Sequence, residues 1–527
     1  MSDQTPSPVR DADPDARISL VVGLRQPLDS IEASIQPAAL DAAIEFLRRQ
    51  GFELNAIGSR TLVLSGKASS FQAAFGGEIR QRFIANAWNC SSRSEQIIRR
   101  EADWSRHGEL KELVEFITIE RPHLYLAGRD SCSALPSARP RDWSTLGPAF
   151  SAVDARPPDL AGSNILDVLR DVPRLLNADK VHADGFRGRG VRVVMIDTGF
   201  AHGHPFFVRN GFRSKVCVAP LLDPLADLPD VDRKGHGTGE SANLFAVAPE
   251  VELTGIKLSP DASGDDSPLL GPFLEAVRSR PHIISISLAY DLCDERSRVP
   301  ETVLRGDLVP LANEIARAVE KGIVVVAGSG NGQYAFPAQL PHVIAAGGVY
   351  AEDPRLVDPR SALPVKLRAS NFASAFESAI FDGRSLPDCC GLVGERPEGH
   401  YIVLPLPPGS EEDRAFAAGQ GPRAFGDQTK PNDGWAVFSG TSAAAPQLAG
   451  VCALMLNANP ALAPADVKRI LCASAREVDE GFASTLCIAP PGPPLKGKQA
   501  TGAGLVDAAA AVKMALGEVK PGAHAGP

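Results

Sequence analysis

The chain has 527 residues, more than one domain usually holds, so a large core with a smaller companion is expected. Hydrophobic residues make up 44% and charged residues 22%, an ordinary globular balance, and a net charge of −9 provides no field to recruit nucleic acid or an anionic membrane. No apolar run approaches the roughly 18 residues that span a bilayer, so neither nucleic acid nor membrane is expected as a partner.

Residues 1–17, MSDQTPSPVRDADPDAR, are polar and acidic; they are expected to be disordered and do not read as a signal peptide. Nine cysteines without a CxxC pair, two of them adjacent at Cys389 and Cys390, make a poor disulfide framework. A reducing, cytoplasmic setting is therefore expected, with secretion by another route left open.

From 18 to 126 the pattern predicts a compact α+β unit. A strand ISLVVGL is followed by a helix from Pro37, with Leu40, Ile44 and Leu47 on one face and Gly51 past its end. Strands FELNAI and TLVLSG, a helix SSFQAAFG ending at Gly76 and a strand VEFITI complete a small open sheet with helices on one face. Residues 127–175, rich in Ser, Pro, Arg and Asp, read as a linker.

Between 176 and 515, strand-length apolar runs (RVVMI, VELTGIKL, HIISISL, GIVVVAG, HVIAAGGV) alternate with helical segments. The simplest architecture is α/β, a parallel sheet covered on both faces. Residues 516–527 read as a tail.

Four stretches lie where strands of this sheet end or helices begin, the edge at which open α/β sheets place active sites. In MIDTGFAHGHPFF, Asp197 ends a buried strand; a D-T-G also occurs in aspartic proteases, but those need two, in an all-β context. In DRKGHGTGESANLFAVAP, His236 opens a helix, and a metal site built on His202, His204 and His236 lacks a carboxylate or cysteine at ligand spacing. In VVVAGSGNGQYAFPA the glycines lack the spacing of a dinucleotide loop, and the loop presents the amide of Asn331. In FSGTSAAAPQLAG, Ser442 lies in the first turn of a helix whose free N–H groups favour negative charge, and alanines 443–445 keep its approach clear.

Taken singly, each stretch has a bland reading: a strand end, a core histidine, a turn, a helix cap. Together they supply the parts of nucleophilic acyl transfer. His236 would take the Ser442 proton and Asp197 would hold the imidazole, while Asn331 and the Ser442 N–H would donate to the oxyanion.

These residues resemble the subtilisin-like serine proteases, the subtilases (peptidase S8). The order Asp, His, Ser is the subtilisin order. GFRGRGVRVVMIDTG is similar to the family's Asp motif, GHGT to its His motif and SGTSAAAPQLAG to its Ser motif, with weaker echoes in SLAYD, AGSGNG, FPAQLPHVIAAGGV and TGAGLVDAAAAV. The resemblance implies a subtilisin-like sheet flanked by helices and a serine endopeptidase. It assigns substrate binding to Ser287, Leu288, Ala289, Gly328, Ser329 and Gly330, and it implies peptide or protein substrates. No required cofactor is expected and no metal ligand is named; structural calcium is left open and unassigned.

Ala289 stands where the family commonly has Gly, and Gly328-Ser329 where it has two alanines, so the pocket does not follow from relatives. The segment LPDCCGLVGERPEGHYIVLPLPPGS is longer than the usual connection and is expected to shape or cover the cleft. Residues 18–126 resemble the ferredoxin-like prodomains of subtilases and sedolisins, which implies intramolecular inhibition; a permanent accessory domain is the other reading. A peptide ligase or cyclase on the same acyl-enzyme, and a non-catalytic peptide-binding homologue, are the alternative functions.

Overall fold

A computed structural model describes the chain except residues 1–8, 26–36, 86–91, 99–102, 106, 121–123, 126–149, 151–152, 161–164, 219–230, 259–267, 294–298, 357, 359, 397–400, 421–425, 484–493 and 518–527. The amino-terminal unit is a four-stranded antiparallel sheet of β1 (Arg17–Leu24), β2 (Glu53–Ile57), β3 (Thr61–Lys67) and β4 (Val114–Ile119), in the order β2-β3-β1-β4. Helices α1 (Pro37–Arg49) and α2 (Ala68–Phe75) cover one face, and α2 stops at Gly76 in the left-handed conformation (φ 66°).

Strand β1 is buried on both faces, because successive side chains of a strand point to opposite sides. Ile18, Leu20, Val22 and Leu24 join Phe46, Leu47, Phe71 and Phe75 in the unit's own core. Val21, with Val63 of β3 and Ala56 of β2, packs instead into the core of the large unit, against residues such as Phe273 and Leu274. The run ISLVVGL, apolar but for Ser19, thus records two partners, one on each side of the sheet.

The large unit carries a nine-stranded sheet. Its first strands are β6 (Arg192–Asp197), β7 (Arg213–Val218), β8 (Glu252–Lys257), β9 (Ile283–Ile286), β11 (Val324–Gly328) and β12 (Ile344–Glu352), all parallel, in the spatial order β7-β8-β6-β9-β11-β12. The expected parallel sheet holds for these. Beyond β12 the strand Lys366–Ala369 runs antiparallel to it. The chain goes to one side of β6 for β7 and β8 and to the other for β9, so the end of β6 lies at a switch point of the topology, where such sheets open a crevice.

Helices α3 (His236–Val247), α4 (Leu270–Arg278), α5 (Val309–Glu320), α6 (Glu411–Ala417) and α7 (Thr441–Ala458) complete the frame used below. Two further short strands matter: β5 (Leu124–Tyr125) and β10 (Leu288–Asp291), paired antiparallel with Leu288 opposite Tyr125 and Ala289 opposite Leu124.

Three expectations need correction. Val9–Asp11, inside the span expected to be disordered, is a strand paired with Ile79–Ala85, which in turn pairs with Ser92–Ile98. The end of the expected linker belongs to the large unit, since Ile165–Asp167 pairs with Tyr401–Pro405, and Leu166, Val172 and Leu175 are core residues. Residues 516–517 of the expected tail belong to a helix, Ala508–Gly517, and the rest of that span lies outside the described residues. Residues 127–149, nearly half of the expected linker, lie outside the described residues.

The two units are also tied by polar groups. Glu314 of α5 accepts hydrogen bonds from the Ser59 hydroxyl (2.9 Å), the Arg60 N–H (3.2 Å) and the Thr61 hydroxyl (3.1 Å). Glu120, just past β4, accepts the N–H of Leu270 at the start of α4 (2.7 Å), where a helix end has N–H groups to satisfy. Replacing Glu314 with Ala should weaken the docking of residues 17–125 by on the order of 1–3 kcal/mol, because buried donors lose a shared acceptor. Amide exchange at Arg60 is then expected to accelerate about tenfold or more, while the amides of β11 keep their protection.

Candidate active site

Asp197 is the last residue of β6 and is completely buried. Its Oδ1 accepts the Thr198 N–H (2.7 Å) and a hydrogen bond from His236 Nδ1 (2.8 Å). Donating from Nδ1 to Asp197 fixes the tautomer, so that Nε2 is the working nitrogen when the ring is neutral. His236 is the first residue of α3 and is 3% exposed. The turn into that helix needs Gly235, at φ 105°, and a Cβ there would also lie 2.7 Å from the Ser410 hydroxyl oxygen. Asp232 braces the turn, taking the Gly235 N–H (2.9 Å) and the Thr238 hydroxyl (2.6 Å).

Ser442 is the second residue of α7. Its carbonyl accepts the Ser287 hydroxyl (2.9 Å), and its own hydroxyl is near enough to the Glu240 carboxyl to favour the charged form of that group. Glu240 Oε1 is in turn 3.7 Å from His236 Nε2, so the serine, the imidazole and this carboxyl share one buried pocket. Helices α3 and α7 run side by side, with Gly450 against Val247 and Gln447 Nε2 donating to Asn243 Oδ1 (3.0 Å).

Asn331 follows β11, and its side-chain oxygen accepts both the Thr441 N–H (3.0 Å) and the Thr441 hydroxyl (3.2 Å). An N–H donor identifies the atom it reaches as oxygen, which fixes the amide orientation. The amide nitrogen therefore lies beside Gly440, where a Cβ would sit 2.7 Å from Nδ2. Only a glycine at 440 lets the amide stand next to the amino terminus of α7.

Burial opposes a charged imidazole at His236, but the carboxylates of Asp197, Glu412 and Glu240 overcome it and push the ring up to about 10. Burial likewise holds Glu412, on α6, at about 7. The long segment before the Ser motif brings that helix over the site: Phe416 packs on Phe438, which lies against the His236 ring.

The structure thus brings Asp197, His236, Ser442 and Asn331 to one edge of the sheet. Of the residues expected to bind substrate, Leu288 and Ala289 lie in β10, whose edge pairs with β5. Ser287 turns its hydroxyl to Ser442 O, and Ser329 bonds Ser374 O (3.0 Å). Gly328 ends β11, and Gly330 is left-handed at φ 107° with its N–H on the Thr441 hydroxyl (3.1 Å). The sequence reading missed Thr441, Glu240 and Glu412. Glu240 had a visible signal, a carboxylate four residues after His236 in an otherwise small and apolar helix.

His202 and His204 do not join His236. His202 contacts the Ser241 hydroxyl (3.0 Å), while His204 accepts the Phe206 N–H and contacts Gly434 O (3.0 Å). Among the described residues no group of three or more His, Cys, Asp or Glu is arranged to hold a metal ion.

Residues 188–488 match the subtilase family, peptidase S8. Subtilisin DY of Bacillus licheniformis is 26% identical over 325 residues, covering 58% of this chain and 92% of that protein. Alkaline elastase YaB of Bacillus sp. (strain YaB) is 25% identical over 54% of this chain and 60% of its own length, and subtilisin E of Bacillus subtilis (strain 168) is 25% identical over 58% and 66%. The crystal structure of fervidolysin from Fervidobacterium pennivorans aligns with a TM-score of 0.50 at 14% identity, covering 97% of this chain and 64% of that one. At that identity it speaks for the fold alone. The match to the family model takes in more than half of the chain, and the protein belongs to the subtilase family of serine-type endopeptidases.

Proposed function

We propose that the protein hydrolyses peptide bonds through an acyl-enzyme on Ser442, with His236 as general base and acid, Asp197 as its orienting carboxylate, and Asn331 with the Ser442 N–H as oxyanion donors. The observation that carries this reading is the 2.8 Å hydrogen bond from His236 Nδ1 to the buried Asp197, in the pocket that also holds the Ser442 hydroxyl. In the first step the Ser442 proton moves to His236 Nε2 as its oxygen bonds the scissile carbonyl carbon. The same proton then goes to the leaving nitrogen as the C–N bond breaks, and water repeats the sequence on the ester. Substrate pairs as an extended strand with the Leu288–Ala289 edge.

Residues 17–125 act in this reading as an intramolecular inhibitor. What supports it is that β5 already pairs with that edge, at Leu288 and Ala289, while Glu120 anchors the same region to α4.

Replacing Ser442 with Ala should abolish fluorophosphonate labelling and cleavage of a peptide library with the fold intact. The expected loss in kcat is about 10⁶-fold, as known from a subtilisin; retention of even a few per cent of activity would end the assignment. Replacing Asn331 with Ala should lower kcat about 10²–10³-fold, again the subtilisin range, with little change in KM. An unchanged kcat would mean another donor serves the oxyanion.

Latency should depend on pH. Burial, with Asp307 adding, raises Glu120 from an ordinary 4.5 to about 8 while the units are docked. The docked form therefore keeps a proton that the released form gives up near 4.5, so docking is favoured in acid and weakens as pH rises between these values. Glu120→Gln should remove that dependence. The check is the lag before peptide cleavage between pH 5 and 8, which is expected to shorten with pH in the wild type and to stay flat in the variant.

A further inference from the structure

Glu240 lies one turn along α3 from His236, and the triad chemistry gives it no task. Its side chain is completely buried. One oxygen, Oε2, accepts Asn243 Nδ2 (3.0 Å), and Asn243 is itself held by Gln447 of α7. The other, Oε1, is buried without a fully formed hydrogen bond and points at the nitrogen of His236 opposite the one that Asp197 binds, 3.7 Å away. A buried carboxyl oxygen left in that condition costs on the order of 1–3 kcal/mol, and a valine or leucine would fill the space without that cost. The groups within its reach are the two between which the catalytic proton moves: His236 Nε2 and the Ser442 hydroxyl.

We propose that Glu240 is a further catalytic residue of this site, one that pairs with the protonated Nε2 of His236 in the resting enzyme and so keeps the general base from Ser442 until that proton is lost. This rests on the acyl-enzyme reading above. In the resting state the Nε2–H donates to the Glu240 carboxylate. Loss of that one proton to solvent leaves a neutral ring whose Nε2 lone pair accepts from Ser442. During acylation the serine proton returns to Nε2, where Glu240 stabilises the imidazolium until the leaving nitrogen takes the proton.

The charged neighbours agree in sign. Asp197 at the end of β6 and Glu412 on α6 face His236 together with Glu240. Behind Glu412 stand Lys234, Asp232 and Glu411, of which only Lys234 opposes a proton on the ring. Burial, with Asp197 and Glu412, works against the charge on Glu240, while the His236 imidazolium and the Ser442 hydroxyl favour it.

The test uses the full chain, labelled with isotopic histidine. The His236 ring resonance, identified by its loss in His236→Asn, is titrated in Ser442→Ala with Glu240 present and with Glu240→Gln. The glutamine keeps the shape and the Asn243 contact but carries no charge. Removing the anion should lower the His236 pKa by about one unit or more, because an opposite charge at this range favours the protonated ring. With Ser442 restored, fluorophosphonate labelling of Glu240→Gln at pH 7 should then rise about tenfold over the wild type. An unchanged or raised His236 pKa would overturn the proposal. Glu240→Leu provides the same reading if the glutamine variant fails to fold. Absence of labelling in the wild type would count against the acyl-enzyme reading alone, since the ring titration needs no catalysis.

Discussion

Helix α7 is the constraint on which the site depends. It is buried from Thr441 to Leu456, packed between α3 and the sheet, and polar groups appear there only at its start and at Gln447. Such a helix can approach its neighbours only if its side chains are small, and Ala443, Ala444, Ala445, Ala449 and Gly450 meet that condition. Once packed, it cannot slide without opening the core. Ser442 is thereby fixed at its amino terminus, Gln447 bonds both Asn243 on α3 and the backbone at Leu392, and the height of His236 beside the serine follows. Precision in the reacting groups comes from apolar packing several residues away from them.

The same reasoning explains what the sequence made legible. After the exposed Arg192, strands RVVMI and VVVAG are buried on both faces, so they read as apolar runs, and the structure has them within a residue or two. Asp197, His236, Asn331 and Ser442 stood out because small residues surround them for a geometric reason, the close approach of helix to strand and of amide to Gly440. The strands IRQRFIA and SRSEQII did not stand out, since they are polar and pair mainly with each other and with Val9–Asp11. Ile165–Asp167 was hidden in a stretch whose composition resembles a linker, and only its partner Tyr401–Pro405, far along the chain, makes it a strand.

Glu240 and Glu412 mark the limit of such reading. A glutamate in sequence is by default a solvated residue, and beyond the placing of Glu240 four residues after His236 nothing local states that tertiary packing removes both from water. Their burial is produced by elements distant in the chain: α7 for Glu240, and for Glu412 the turn before α3, whose Lys234 carbonyl accepts the Glu412 N–H (3.0 Å). Three carboxyl groups around one imidazole, Asp197, Glu240 and Glu412, with Asp232 behind Glu412, make an electrostatic setting that motifs do not encode.

The pairing of β5 with β10 has a further consequence. Beyond Leu288 and Ala289, the same strand pairs with Ala335–Phe336, so the part open to a peptide is short and holds one strand at a time. On the proposed inhibitory reading, a segment of the same chain competes for it at an effective concentration on the order of millimolar, set by the tether and not by its amount in solution. A free peptide of ordinary micromolar-to-millimolar affinity meets that rival at every encounter. Cutting the chain after Tyr125 would convert the rival into a separate molecule that dilution can remove, so the length and integrity of the connecting chain, more than the strength of any contact, sets when the edge becomes available.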